Sequence, residues 1–378
     1  MHRIVIVGGG AGGLELATQL GRSLGKRGKA SIELIDTNPT HLWKPLLHEV
    51  ATGALDSGID ELSYRAHGKR HGFQFQLGRM SGLNRDSKQI VLAPMLDDDG
   101  QEVLSERCVD YDTLVLAIGS ITNDFGTPGA KEHCVFLDSR QQAERFHRTL
   151  LNEFLRINAA IENDGQQRDL EIAIVGAGAT GVELSAELYN TAEVLASYGL
   201  KHATPDPLKV TLIEAGERIL PALPPRISNS AKRELEKLGV RVKTNTLITA
   251  ADEQGFATKA GERIPARLKV WAAGVRAPSF MAGLGLETNR ANQLIVNASL
   301  QTDDDNIFAL GDCACLIQAD GSAVPARAQA AHQQASHLIK VLKARQQGKP
   351  LPSFVYRDKG SLVSLSRYST VGSLMGNL

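Results

Sequence analysis

Ile4-Val5-Ile6-Val7-Gly8-Gly9-Gly10-Ala11-Gly12-Gly13-Leu14-Glu15-Leu16 is the stretch that decides the fold of this 378-residue chain. A short apolar run suited to a buried parallel strand passes into G-x-G-x-x-G and then into apolar positions at helical spacing. The pattern recurs at Ile172-Ala173-Ile174-Val175-Gly176-Ala177-Gly178-Ala179-Thr180-Gly181-Val182-Glu183-Leu184. In such a unit the first glycine (Gly8, Gly176) permits a tight turn, and the second (Gly10, Gly178) lets the backbone approach a pyrophosphate. The third (Gly13, Gly181) allows close helix–strand packing, while the helix N-terminus faces the anion. One copy is weak evidence. Two copies in strand–turn–helix context, each with an acid downstream, point to two bound dinucleotides.

The first acid is Asp36, ending the apolar run Ser31-Ile32-Glu33-Leu34-Ile35-Asp36; the second is Glu214, ending Lys209-Val210-Thr211-Leu212-Ile213-Glu214. A carboxylate at that strand tip accepts hydrogen bonds from the ribose hydroxyls of an adenosine. Glu214 would also repel a 2′-phosphate, which favours NADH over NADPH, with Arg218 placed to soften the preference. The plainer alternative is that each acid caps a strand and stays solvated.

Composition narrows the field. Lys+Arg and Asp+Glu balance at 42 each, which gives no sign of a nucleic-acid surface. The first strand begins by Ile4 and leaves no room for a signal peptide, and no apolar run is long enough to span a bilayer. Cys108, Cys134, Cys313 and Cys315 have neither C-x-x-C nor zinc spacing, and read as inert thiols in a reducing cytosol. His41 and His48 flank a loop without metal-ligand companions, so no metal site is expected there. Asp97–Asp99 and Asp303–Asp305 lack the register of a calcium loop and read as solvated turns.

Along the chain, His41-Leu42-Trp43-Lys44-Pro45-Leu46-Leu47-His48-Glu49-Val50 reads as a loop leading into a short helix. Residues 73–118 are strand-rich, with a polar hairpin at Asp97-Asp98-Asp99-Gly100. Ala143, Phe146, Leu150, Phe154 and Ile157 recur at helical spacing and predict a connecting helix over 139–163, closed by Asn163-Asp164-Gly165. The second unit carries a proline-rich loop at Pro221, Pro224 and Pro225, a helix at about 227–238 and a last strand, Leu268–Gly274. Asp305-Asn306-Ile307-Phe308-Ala309-Leu310-Gly311-Asp312 reads as another buried strand with an acid at its tip. Pro325 precedes a helix to about 343, and the Gly/Ser-rich tail holds two alternating stretches. The expected fold is α/β, with two Rossmann-like dinucleotide-binding domains of which the first is discontinuous and the second inserted. The expected boundaries are 1–123 and 296–345 for the first domain, 124–295 for the second, and 346–378 for a C-terminal interface segment.

Five further stretches resemble one family. Thr113-Leu114-Val115-Leu116-Ala117-Ile118-Gly119 and Val270-Trp271-Ala272-Ala273-Gly274 resemble the paired A-x-G strand ends of two-dinucleotide flavoprotein reductases. Gly311-Asp312 is similar to their second FAD motif. The loop His41–Gly53 and the helix start Ala328-Gln329-Ala330-Ala331-His332-Gln333-Gln334 resemble the flavin-facing elements of type II NADH:quinone oxidoreductases. The resemblance reaches to about residue 365. It implies that Gly8, Gly10, Ala11, Gly13 and Asp36 hold the adenosine and pyrophosphate of a tightly bound FAD. Asp312 would take the ribityl chain, and Lys44 and Pro45 the flavin ring, with Ala117, Gly119, Gly311, Ala328 and Gln329 completing that site. Gly176, Gly178, Thr180, Gly181, Glu214, Ala273 and Gly274 would take NADH. Gln329, His332 and Gln333 would edge the flavin and the quinone head.

The chemistry implied is hydride transfer from NADH to the flavin and two-electron reduction of a quinone, work that belongs to the cofactor. One proton-handling group near the quinone would help, and Glu183 is the candidate. Placed in a first helical turn, Glu183 could instead simply complement the helix dipole, as Glu15 would in the first motif. Gln329 and Gln333, four apart, share a helix face, and a solvated helix start is their plainer reading. His332 reads equally as surface packing. The family resembled usually continues into amphipathic helices that attach to the cytoplasmic side of the membrane and support a homodimer. The tail here has no such pattern, so it reads as truncated and soluble, or as attached through another surface. Two rivals are a sulfide:quinone oxidoreductase using two flanking cysteines, and a non-catalytic NADH-sensing flavoprotein. A disulfide reductase fits less well, because no C-x-x-x-x-C follows the first helix.

Overall fold

The computed structural model describes residues 1–41, 43–55, 61–97, 99–165, 168–202 and 204–374. Leu42, Asp98 and 375–378, each part of a stretch read above, lie outside the described residues. In chain order the elements that matter here begin with β1 (His2–Val7), α1 (Ala11–Leu20), β2 (Ala30–Asp36), α2 (Leu47–Thr52), β3 (Gln74–Leu77) and β4 (Thr113–Leu116). They continue with β5 (Val135–Phe136), α3 (Arg140–Asp164), β6 (Leu170–Val175), α4 (Ala179–Ser197), β7 (Leu208–Ile213), α5 (Pro225–Leu238), β8 (Arg241–Lys243) and β9 (Leu268–Trp271). The last are β10 (Ile307–Ala309), α6 (Ala328–Gln346), β11 (Gly360–Leu365) and β12 (Ser369–Leu374).

The chain divides into two compact units. The first comprises Met1–Trp43, Glu61–Ile121 and Val275–Arg357. Its five-stranded sheet has the order β10-β4-β1-β2-β3, all parallel, with Ile4 opposite Thr113 and Ile32, and Leu114 opposite Ile307. The strand over Ile307–Ala309 therefore pairs with β4, two strands from the first motif's own strand β1, despite its distance in sequence, as the resemblance of Gly311-Asp312 to a second FAD motif implies. The strands are fully apolar where both faces are covered: Ile4, Ile6, Leu34, Leu114, Leu116 and Phe308 join Leu16 and Leu20 of α1 and Leu338 and Leu342 of α6 in one buried core.

The second unit comprises Lys44–Asp60, Thr122–Gly274 and Asp358–Leu378. Its parallel sheet, β5-β9-β6-β7-β8, repeats the winding of four strands, but its outer strand β5 comes first in the chain where β10 comes last. Each unit also carries a three-stranded antiparallel sheet. Helix α3 starts on a capping box, with Ser139 accepting from the Gln142 N–H and the Gln142 side chain returning to the Ser139 N–H. It ends on Gly165 at φ 65°. The stripe read from the sequence, Ala143, Phe146, Leu150, Phe154 and Ile157, is buried throughout. Strands β11 and β12 form an antiparallel hairpin in register from Gly360–Leu374 to Leu365–Ser369.

Two expectations need correction. Asp304 is not a solvated turn acid, because Arg85 donates to it at 3.0 Å and also reaches Asp303 at 3.4 Å. Nor does Glu183 stand in a first helical turn. Gly178 is extended (φ −72°, ψ −171°) and caps a helix that begins at Ala179. Glu183 is therefore one turn in, beyond the reach of the terminal partial charge.

Candidate dinucleotide and proton-handling sites

The two glycine turns are built alike. Gly8 and Gly176 sit at φ +105° and +101°, a region that disfavours side chains. A Cβ on Gly8 would lie 2.2 Å from the Ala117 carbonyl oxygen, and one on Gly176 would lie 2.6 Å from the Ala273 nitrogen. The A-x-G strand ends thus press against the first glycine of each motif. The third glycines seat the helices: a Cβ on Gly13 would meet the Gly8 carbonyl oxygen at 1.8 Å, and one on Gly181 the Gly176 oxygen at 2.0 Å. By contrast, a Cβ on Gly10 or Gly178 would meet nothing within 4 Å. Both are exposed N-caps of helices that carry no side-chain cap. An open approach onto an uncapped helix N-terminus is what a pyrophosphate needs, so each cradle fits a dinucleotide.

The acids close these turns from the side. Asp36 accepts the Gly9 N–H at 2.7 Å and the Asn38 N–H at 2.8 Å. Glu214 accepts the Ala177 N–H at 3.0 Å and the Gly216 N–H at 2.8 Å. In the first unit the Gly9 carbonyl also accepts from the Tyr64 hydroxyl (2.8 Å) and His41 Nδ1 (2.9 Å). Arg218 donates to the Pro221 carbonyl at 2.9 Å.

At the tip of β10, Gly311 (φ +72°) turns the chain so that Asp312 Oδ2 accepts from the Ser120 hydroxyl at 2.7 Å. Buried Gln334 holds this turn by accepting the Gly311 N–H at 2.7 Å. Sequence reading missed Ser120 and Gln334, whose roles depend on partners 192 and 23 residues away; the only trace was the polarity of Gln334 inside an otherwise apolar face. Helix α6 begins at Ala328 without a side-chain cap. Gln329 and Gln333 do share a face, 3.4 Å apart, but both also tie down the following chain. Tyr356 donates to Gln329 Oε1 at 3.0 Å, while Gln333 bonds the Arg357 carbonyl and N–H at 2.8 and 3.1 Å. Exposed His332 lines a cleft of about 370 Å³ with Ala11, Glu15 and His41.

In the second unit Lys44 and Pro45 form a short 3₁₀ turn, with Lys44 Nζ 3.6 Å from Asp138. Thr180 is exposed on the first turn of α4, and Gly274 turns at φ +67° beside the Phe125 ring. Glu183 is largely buried. One oxygen accepts the Ser364 N–H at 3.1 Å, and the other lies 3.7 Å from His48 Nδ1. Burial raises its pKa to about 7, the Ser364 N–H opposing and Glu49 adding to the rise. His48, buried in the short helix α2 that follows the loop, is pushed down by the same desolvation. Burial holds the Cys134 thiol up at about 12 and Cys313 at about 11. Among the described residues no cluster of His, Cys, Asp and Glu could hold a metal ion.

Comparison with known proteins agrees with this geometry. Residues 2–335 match the pyridine nucleotide-disulphide oxidoreductase family. A type II NADH:quinone oxidoreductase of Haemophilus influenzae is 52% identical, over 99% of this chain and 87% of its own length. One from Mycobacterium tuberculosis is 32% identical over 99% and 79%. In fold, the NDH2 of Plasmodium falciparum, solved with NADH, superposes with a TM-score of 0.84 at 20% identity, covering 99% of this chain and 90% of that one.

Proposed function

The chain belongs to the type II NADH:quinone oxidoreductases within the pyridine nucleotide-disulphide oxidoreductase family, and on that premise we propose that it oxidises NADH and reduces a quinone through bound FAD. The observation that carries this reading is the duplicated cradle, open at Gly10 and Gly178 and closed from the side by Asp36 and Glu214.

FAD would be held chiefly by the first unit and NADH by the second. Gly8, Gly10, Ala11 and Gly13 receive the FAD pyrophosphate, Asp36 its adenosine ribose and Asp312 the ribityl chain. Ala117, Gly119, Gly311, Ala328 and Gln329 of the first unit border the ring. Gly176, Gly178, Thr180, Gly181, Glu214, Ala273 and Gly274 receive NADH. When bound, the flavin supplies hydride acceptance and two-electron donation.

The chain's own residues handle binding and protons. The N-terminus of α6 offers its N–H groups and partial positive charge to the flavin's pyrimidine edge. Gln329, His332 and Gln333 border the quinone head. Glu183, near neutrality in pKa, donates a proton to the reduced quinone, since an acid matched to ambient pH does so with least cost. Association with the membrane would be peripheral, on its cytoplasmic side, and the chain would pair as a homodimer. Among the described residues no helix is long and apolar enough to cross a membrane.

A sulfur-handling site is disfavoured by Cys134 and Cys313, whose buried thiols stay protonated at neutral pH. The test is steady-state oxidation of NADH with a soluble quinone by the yellow holoenzyme. Quinone-dependent turnover supports the reading. Turnover with sulfide alone, or a permanently reduced flavin that no quinone oxidises, contradicts it.

A further inference from the structure

The overall reaction consumes one proton from water: NADH + H⁺ + quinone gives NAD⁺ + quinol. The hydride carries both electrons and one hydrogen; the second hydrogen must reach the site from solvent at every turnover. Glu183 is largely buried, so it needs a route for refilling.

Helix α2 supplies one within the second unit. The buried imidazole of His48 has a carboxylate near each ring nitrogen. Its Nδ1 lies 3.7 Å from Glu183 Oε2, and its Nε2 lies 3.9 Å from Glu49 Oε1. The Glu49 side chain is 32% exposed, against 16% for Glu183 and 6% for His48, so Glu49 is the end of the row that meets water. His48 Nδ1 also lies 2.9 Å from the Pro45 carbonyl, which can only accept. Nδ1 therefore carries the hydrogen and Nε2 the lone pair that faces Glu49. Because burial lowers the histidine's pKa, the ring rests neutral, the state in which it can accept.

We propose that His48 relays protons from Glu49 to Glu183 and so refills the acid that protonates the quinone. The proposal rests on the reading of Glu183 given above. Glu49, protonated from solvent, gives its O–H proton to Nε2. The imidazolium then releases the Nδ1 proton to Glu183 Oε2, leaving a neutral ring with its hydrogen on Nε2, and proton exchange with water returns that hydrogen to Nδ1 before the next transfer. No charge accumulates, because the two carboxylates exchange one proton through one ring.

The surroundings suit the task. From α4, Glu187 faces His48 and favours its cationic form in transit; it is itself pinned by Asn190 at 2.8 Å. From α3 comes His147, whose pKa is lowered by burial, so it adds little positive charge near neutrality. The turn before α2 brings Lys44, drawn toward Asp138. The β11–β12 hairpin presents the neutral Ser364 N–H, which orients Glu183.

The experiment is stopped-flow with His48→Asn and Glu49→Gln holoenzymes, following flavin bleaching by NADH and then re-oxidation by a short-chain quinone across pH 5.5–9, with and without added imidazole. Expected is a re-oxidation rate about tenfold lower in both variants, less than the roughly hundredfold or more lost with a group that acts on the substrate itself, because the relay only refills Glu183. The loss should steepen with pH, and imidazole should recover most of it in His48→Asn. Wild-type re-oxidation rates and pH profiles in both variants would overturn the relay. So would a loss that imidazole does not restore and that extends equally to bleaching by NADH, because packing alone produces that result. If wild-type protein itself bleaches with NADH but is not re-oxidised by quinone, the activity reading fails instead.

Discussion

The Glu214 carboxylate accepts the Ala177 N–H at 3.0 Å, which fixes a negative charge beside the second glycine turn. Asp36 makes the same bond to Gly9 in the first unit, at 2.7 Å. Each acid thus shapes its turn before any ribose arrives. At Glu214 the fixed charge also sets coenzyme choice. Glu214→Gln keeps an oxygen for one N–H and removes the charge, and its preference for NADH over NADPH in kcat/KM should narrow about tenfold, the effect of one partly screened charge on a phosphate. An unchanged ratio would mean that the acid only braces the turn.

Gly10 and Gly178 are extended, at φ −66° and −72°, with open space where a Cβ would stand. Alanine therefore costs the fold little at either site but intrudes on an approaching pyrophosphate. Gly10→Ala should purify with less than half the flavin of the wild type and an unchanged circular dichroism spectrum. Gly178→Ala should keep its flavin and raise the KM for NADH by about an order of magnitude. Flavin loss in both variants, or in neither, would contradict the assignment of one cofactor to each unit.

Exposed Cys108 should take up a thiol reagent first, while Cys134 and Cys313, buried and held protonated, react only after unfolding. Mass spectrometry of the labelled protein, with quinone reductase activity measured alongside, checks this. Early modification of Cys134 or Cys313 with loss of activity would reopen the sulfur-handling reading.

Burial lifts the pKa of Glu183 from 4.5 to about 7. The folded protein therefore keeps this proton at pH values where the unfolded chain has lost it. The resulting stabilisation is complete below about pH 4.5 and disappears as pH rises through about 7. Glu183→Gln should flatten this part of the Tm–pH curve, losing less Tm between pH 5 and 8 than the wild type. It should also slow quinone-dependent re-oxidation without changing flavin bleaching by NADH. Parallel Tm–pH curves would show that the carboxyl is not buried as described.

Much of this was legible in the chain because the decisive features are local. Gly8, Gly13 and Asp36 lie within one βαβ segment, and backbone geometry alone dictates glycine at the first two. The return of Ile307–Ala309 to the first sheet was legible only through the resemblance carried by Gly311-Asp312, since its partner strand, Thr113–Leu116, lies far upstream and nothing local marks the pairing. What was missed depends on side chains meeting across long stretches. Ser120 finds Asp312, Gln334 fixes Gly311, and His48 is buried against Glu183, and no periodicity marks such meetings. Glu183 was misplaced by one turn for a local reason: the motif's helix starts immediately after the second glycine, so the third glycine already lies inside it.

The central claim is that electrons pass from NADH through a flavin held by the chain to a quinone. Anaerobic titration of the purified holoenzyme with NADH, followed by a soluble short-chain quinone, tests it most directly. The account predicts bleaching of the oxidised flavin band at about one equivalent of NADH, by the stoichiometry of a two-electron cofactor, and prompt return of that band when the quinone is added. A protein that stays colourless after reconstitution with FAD, or one whose bleached spectrum persists in the presence of quinone, would contradict it.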